Sequence, residues 1–127
     1  MAGMLYLVPT PIGNLGDISE RARETLERAD FIAAEDTRVS LKLLNHLGLK
    51  KPLVSYYEHN KSFKGEKILD RILAGETCAL VSDAGSPAIS DPGEDLVKQC
   101  AAAGITVCAI PGPCAAITAL SISGQST

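Results

Sequence analysis

Val81-Ser82-Asp83-Ala84-Gly85-Ser86-Pro87-Ala88-Ile89-Ser90-Asp91-Pro92-Gly93 is the stretch that decides how this chain folds. It continues the apolar run Cys78-Ala79-Leu80-Val81, which is short and unbroken like a strand buried on both faces. Two acids, two glycines, two prolines and three serines then crowd into the turn that follows. Ligands of open α/β sheets bind outside the carboxyl ends of the strands, so a turn this rich in special residues points to a site. Two similar turns stand behind other apolar runs. Pro9 to Asp17 reads P-T-P-I-G-N-L-G-D, and Pro111 to Ala116 reads P-G-P-C-A-A. On one sheet edge, the three would wall a pocket.

Working outward, strand and helix patterns alternate. Strands are predicted at Met4–Val8, Phe31–Ala34, Pro52–Tyr56, Thr77–Val81 and Ile105–Ile110. Helices are predicted at Ile18–Ala29 with Ser19 as cap, from about Thr37 to a stop at Gly48, at Ser62–Ala74, Glu94–Ala103 and Ala115–Ile122. In the second helix Leu43, Leu44 and Leu47 share a face. In the third, Ile68, Leu69, Ile72 and Leu73 are expected to point inward. The fold class is therefore α/β: a doubly wound, mostly parallel five-stranded sheet with helices on both faces. The last helix is apolar throughout and reads as buried. The chain stops just after it at Gly124-Gln125-Ser126-Thr127, which looks like a cut between domains.

The 127 residues suffice for one domain with a core, and 46% hydrophobic against 21% charged residues fits a folded globule. No apolar run is long enough for a membrane helix, and no basic-then-apolar leader opens the chain, so a cytoplasmic protein without membrane contact is expected. The cysteines Cys78, Cys100, Cys108 and Cys114 show no C-x-x-C spacing and no neighbouring histidine, so no metal is expected. Cys78, Cys100 and Cys108 read as core residues, whereas Cys114 opens a helix.

Net charge is −3, unevenly spread. Residues 1–41 carry −3, residues 42–67 carry +4 and residues 68–127 carry −4. The basic middle suits a phosphate backbone or simply a solvated surface. Glu35-Asp36-Thr37-Arg38 and Glu58-His59-Asn60 also sit at strand ends. Carboxylates near a histidine suit acid–base work, but Asp36 or Thr37 equally suits capping of the next helix. Asp83 suits either a ligand ammonium or the backbone of its own turn. The first turn lacks G-x-G-x-x-G and G-x-x-x-x-G-K-[ST], and its prolines remove backbone donors, which disfavours a phosphate-bearing cofactor.

Taken together, five motifs resemble the tetrapyrrole methylase superfamily of S-adenosylmethionine-dependent enzymes, and within it the N-terminal half of the branch that methylates small-subunit ribosomal RNA. They are L-Y-L-V-P-T-P-I-G-N-L-G-D-I-S from Leu5, A-A-E-D-T-R from Ala33, E-H-N from Glu58, S-D-A-G-S-P-A-I-S-D-P-G from Ser82 and P-G-P-C-A-A-I-T-A-L from Pro111. The resemblance implies 2′-O-methylation of a cytidine ribose in 16S rRNA of the small ribosomal subunit, by a homodimeric enzyme of which this chain is the first domain. It implies an S-adenosyl-L-methionine site at Pro11, Ile12, Gly13, Gly85, Ser86, Ile89, Cys114 and Ala115, with Asp83 nearby. Ser86 stands where the tetrapyrrole enzymes carry the acid of G-D-P, and Tyr57 where the branch more often has histidine. Asp36, Glu58 and His59 are the candidate catalytic groups, and Arg38, Asn60, Lys61 and Lys64 the candidate RNA contacts. The alternatives are a small-molecule methylase of the tetrapyrrole kind and an inactive binding or dimerisation fragment. A phospho-receiver is disfavoured because the first strand ends in Pro9-Thr10-Pro11 rather than in acids.

Overall fold

Residues 2–89 and 91–126 are described in a computed structural model. Five parallel strands make one sheet: β1 (Met4–Leu7), β2 (Phe31–Ala34), β3 (Leu53–Ser55), β4 (Cys78–Val81) and β5 (Thr106–Ala109). Their order is β3-β2-β4-β1-β5. The helices are α1 (Glu20–Arg28), α2 (Thr37–Leu47), α3 (Lys61–Leu73), α4 (Gly93–Ala102) and α5 (Ala115–Ser123). Every predicted element is present, with ends shifted by one or two residues.

Local chemistry sets these boundaries. The Ser19 hydroxyl accepts the Ala22 N–H at 3.0 Å and starts α1. Gly48, at φ 70°, closes α2 in the left-handed conformation that costs glycine nothing. Alternation along the central strands then divides the core. Leu5, Phe31, Ala33, Cys78 and Leu80 face Ile68 and Ile72 of α3 and Leu96 and Cys100 of α4. Ile32, Ala34, Ala79 and Val81 face Ala22 and Leu26 of α1 and Leu43 and Leu44 of α2. β2 and β4 are buried on both faces, as parallel strands between two helix layers must be.

Three expectations need correction. β5 is a half-exposed edge strand, because only β1 pairs with it. For the same reason Cys108 is only half-buried, unlike Cys78 and Cys100. α5 is apolar yet has no buried residue: Ile117 is 64% and Ile122 85% exposed, since no described element packs over it. Leu73 points outward at the end of α3, where the apolar stripe has rotated off the sheet.

Candidate functional site

The sheet order creates the site. β1 and β4 are neighbours, but the chain leaves β1 toward α1 on one face and leaves β4 toward α4 on the other. Connections diverging from adjacent strands open a crevice at the carboxyl edge. The turn after β1 and the turn after β4 meet there. Thr10 and Gly85 exchange two backbone hydrogen bonds of 3.0 and 2.9 Å as an antiparallel bridge, and the Thr10 hydroxyl donates to the Ser82 carbonyl at 3.3 Å. The turn after β5 joins them. Ser86 Oγ donates to the Pro113 carbonyl at 3.2 Å, and Gly112 packs so tightly on the Pro9 ring that no side chain fits between them.

Gly85 lies at the centre of this junction. Its φ is +79°, and a Cβ there would stand 3.3 Å from both Ile12 Cδ1 and the Pro113 carbonyl oxygen. The positive φ favours glycine, and the tight surroundings add to that preference. Beside the junction opens a cavity of about 560 Å³, lined by Leu7, Ser86, Pro87, Ala88, Ile89, Val97, Ala109 and Ile110, with Glu94 and Lys98 among its few charged groups. The size and mostly apolar lining fit a small-molecule pocket. Ile89 hangs over it, 75% exposed.

The loop carrying Ile89 is held in an uncommon shape. Ala88 has φ 67°, left-handed for a residue with a Cβ. Its N–H donates to both carboxylate oxygens of Asp91 at 3.1 and 3.0 Å, and Gly93 N–H donates to Asp91 Oδ1 at 2.8 Å. From the opposite side, the buried Tyr56 hydroxyl donates to the Pro92 carbonyl at 2.8 Å. Asp91 and Tyr56 thus fix the loop that borders the cavity.

A second cleft of about 410 Å³ lies at the β2 and β3 ends, lined by Glu35, Asp36, Thr37, Arg38, Ser55, Tyr57 and Asp83. Asp36 caps α2 by accepting Arg38 N–H at 2.9 Å, and it pairs with the Arg38 guanidinium at 3.0 Å. Arg38 holds its carboxyl below the ordinary aspartate range, which weakens it as a base. Asp83 bonds neither its own turn nor open space: its Oδ1 accepts the Asp36 N–H at 3.2 Å and ties the β4 turn to the β2 turn. Glu35 is pushed up, first by partial burial and then by Asp83, Asp91 and Asp36. The shift is opposite in direction to that of Asp36 beside it.

Glu58 and His59 do not line that cleft. Glu58 pairs with Lys61 at 2.9 Å, and His59 stands edge-on to Tyr57 with ring centroids 6.3 Å apart. Asn60 is engaged internally, accepting Tyr57 N–H at 2.7 Å and donating to the Ser55 carbonyl at 3.0 Å. Lys61 bridges Glu58 and Asp95, the latter at 2.6 Å. Lys64 is half-buried on α3 and Arg38 is exposed. Pro11 is buried beside a small cleft shared with Val39, Lys42 and Asp83, Gly13 is exposed, and Cys114 with Ala115 opens α5. The structure therefore gathers Ile12, Gly85, Ser86 and Pro113 directly and separates them from the acidic cleft. Sequence reasoning placed Glu35 among the strand-end carboxylates suited to acid–base work but singled out Asp36 instead, and it gave Tyr56 no functional role. The capping preference offered a signal for Glu35, since Asp caps helices and leaves the preceding Glu unengaged.

A model of the family described as Tetrapyrrole (Corrin/Porphyrin) Methylases matches residues 4–127. The chain belongs to this family. Curated relatives named "Ribosomal RNA small subunit methyltransferase I" include those of Halalkalibacterium halodurans, 58% identical over 125 residues, and Haemophilus influenzae, 54% identical over 124 residues. Each alignment takes in 98% of this chain but only 43% and 44% of the relative, so the chain spans less than half their length. Among solved structures, a diphthine synthase superposes with TM-score 0.77 at 15% identity, covering 98% of this chain and 50% of that one. Uroporphyrin-III-C-methyltransferase from Thermus thermophilus gives 0.72 at 23% identity, covering 99% and 55%. These two likenesses establish the fold alone.

Proposed function

We propose that this chain is the cofactor-binding first domain of an S-adenosylmethionine-dependent enzyme that methylates a cytidine 2′-hydroxyl in small-subunit ribosomal RNA. The observation that carries the reading is the hydrogen-bonded junction of three turns, Thr10 with Gly85 and Ser86 with Pro113, beside an apolar cavity. The names of the relatives support the RNA substrate. Further chain packed over α5 and β5 would complete the cleft, a reading supported by the exposed apolar face of α5 and the length of the relatives.

The residues present fit the cofactor. Gly85 lets the turns after β1, β4 and β5 close on one another beside the cavity, the cavity is largely apolar, and no basic cluster lines it for phosphate. When bound, S-adenosylmethionine supplies an electrophilic methyl group on a sulfonium. Ile89 over the cavity and Ile12 at the junction exclude water, and the backbone of the 111–114 turn, with the Ser86 oxygen as an acceptor, orients polar parts of the nucleoside. Cys114 and Ala115 add the amides of the α5 N-terminus. In the second cleft Glu35, with its raised proton affinity, takes the ribose proton, while Asp36 holds Arg38 toward the RNA. His59 and Glu58 belong to the segment between β3 and α3, outside the lining of the cleft; the exposed Arg38 and the half-buried Lys64 are offered to phosphate, and Asn60 and Lys61 hold that segment in place. Such a protein would act in the cytoplasm, as a dimer.

The test uses a version of the protein that spans the full length of the relatives. Titration calorimetry with S-adenosylmethionine and transfer of labelled methyl to small ribosomal subunits should both be positive. Methyl transfer to a porphyrinoid but not to RNA would replace this reading by the small-molecule one, and no binding of the cofactor would remove it altogether.

A further inference from the structure

The chain has three tyrosines, two phenylalanines and no tryptophan. Phe31 and Tyr56 are buried in the core and Tyr6 is half-buried. The two that remain, Tyr57 and Phe63, are 40% and 61% exposed and lie six residues apart where β3 passes into α3. Both fall in the one basic segment of the sequence, residues 42–67 with net charge +4. Lys67 Nζ lies 4.3 Å from the Phe63 ring centroid, Lys64 is one residue on from that ring, and His59 stands against Tyr57.

We propose that Tyr57 and Phe63 form a stacking platform for unpaired bases of single-stranded RNA, with Lys64 and Lys67 beside it for the phosphates. This deepens, and rests on, the RNA-methylating reading above. Exposed aromatic rings with a lysine beside them, as Lys67 is beside Phe63, are what unpaired bases stack on, because every base has a π-face and every linkage a charge. Charge complementarity also fixes the direction of approach. Tyr57 borders the cleft of Glu35, Asp36 and Asp83, three acids that outnumber its one cation, the outward Arg38 paired with Asp36, and disfavour phosphate inside it. The backbone must therefore run along the lysine side, over α3, so that an uncharged ribose is what enters the cleft. Lys61, already bridged to Glu58 and Asp95, holds α3 against α4 and is not one of the phosphate contacts.

The experiment compares a protein spanning the relatives' full length with its Phe63→Ala, Phe63→Trp and Lys67→Ala variants. Four quantities are measured: KM for small ribosomal subunits, affinity for an unstructured oligocytidylate, affinity for S-adenosylmethionine and melting temperature. Stacking on one base corresponds to roughly a tenfold or greater change in affinity. Phe63→Ala should raise KM and weaken oligonucleotide binding by about that factor, with cofactor affinity and melting temperature unchanged, and Phe63→Trp should restore both. Lys67→Ala should flatten the salt dependence of oligonucleotide binding. Unchanged KM and oligonucleotide affinity in Phe63→Ala would overturn the proposal. So would a marked drop in melting temperature, which would mean that further chain covers the ring. If the unsubstituted protein methylates RNA normally while these variants behave like it, only the platform fails; if it methylates no RNA, the platform falls with the function.

Discussion

Removing one oxygen atom, in Tyr56→Phe, tests how the loop bordering the apolar cavity is held. Tyr56 is 1% exposed, and its hydroxyl donates to the Pro92 carbonyl at 2.8 Å across 36 residues of sequence. Deletion loses a hydrogen bond and leaves that carbonyl without its partner, together about 2 kcal/mol. Unfolding entropy of about 2.1 cal/mol/K per residue gives about 0.27 kcal/mol/K for this chain, so the melting temperature should fall by about 7 °C near neutral pH. The pH dependence makes the test sharper. Burial, followed by Asp95, pushes the Tyr56 phenol up from 10.0 to about 12. A folded-state pKa above the unfolded one means that the stability is fully present below pH 10 and is lost as pH rises toward 12, because only the unfolded chain can ionise in that window. Two pH units correspond to at most about 2.7 kcal/mol. Phenylalanine cannot ionise, so the gap between the two proteins should be widest below pH 9 and close between pH 10 and 12. Cys78 and Cys100, whose thiols burial lifts to about 12 and about 11, also weaken the fold at alkaline pH, but equally in both proteins, so the difference isolates Tyr56. Urea denaturation at a series of pH values reads the gap directly. A gap that stays constant from pH 7 to pH 12, or a Tyr56→Phe protein melting within 2 °C of the original at pH 7, would refute the claim that this hydroxyl anchors the loop.

Further outcomes follow from the same geometry. Gly85→Ala and Gly13→Ala place Cβ at similar positive φ, +79° and +75°, but only Gly85 has neighbours within 4 Å. Both should lose about 1 kcal/mol by backbone strain, while Gly85→Ala alone should also weaken S-adenosylmethionine binding at least tenfold by calorimetry; equal effects would mean that the junction does not touch the cofactor. Asp91→Ala removes the acceptor for Ala88 and Gly93 N–H and should cost about 2 kcal/mol in denaturant unfolding, with Asp91→Asn intermediate, because one amide oxygen remains. Brief alkylation of the native protein should label half-buried Cys108 and Cys114 before buried Cys78 and Cys100, and S-adenosylmethionine should protect Cys114 selectively; peptide mass spectrometry reads both.

How far the fold could be read from sequence follows from the range of the forces involved. Ser19 and Gly48 act within one helical turn, so the hydroxyl and the absent Cβ announce α1 and the end of α2 directly. The in–out alternation of Phe31-Ile32-Ala33-Ala34 is equally local, yet the order β3-β2-β4-β1-β5 is not written in it, because any of these apolar strands pairs acceptably with any other. α5 misleads for the opposite reason. Its apolar residues do specify a buried helix, but burial needs a second surface, and among the described residues none lies over it.

The candidate site divides along the same line. Proline and glycine restrict their own backbone, so the three turns could be recognised singly and their meeting anticipated. What each polar side chain does within them depends on neighbours far along the chain. Asp83 serves Asp36, which lies 47 residues away, Lys61 serves Asp95, and Asn60 closes its own loop, so three residues of site-like composition bind the scaffold together. Asp36 likewise caps a helix and leaves Glu35 as the acid whose proton affinity rises. Polar groups at the two cavities fall on two separate lips, Ser86, whose proton is already given to the Pro113 carbonyl, at one and Glu35 at the other. Methyl transfer needs donor and acceptor in line. On the proposed reading the cofactor wall and Glu35 lie on different strand ends, and an RNA strand lying across both would bring the ribose oxygen to the methyl group. Substrate binding and alignment would then be a single event, and a substitution that loosens the RNA should lower kcat as well as raise KM.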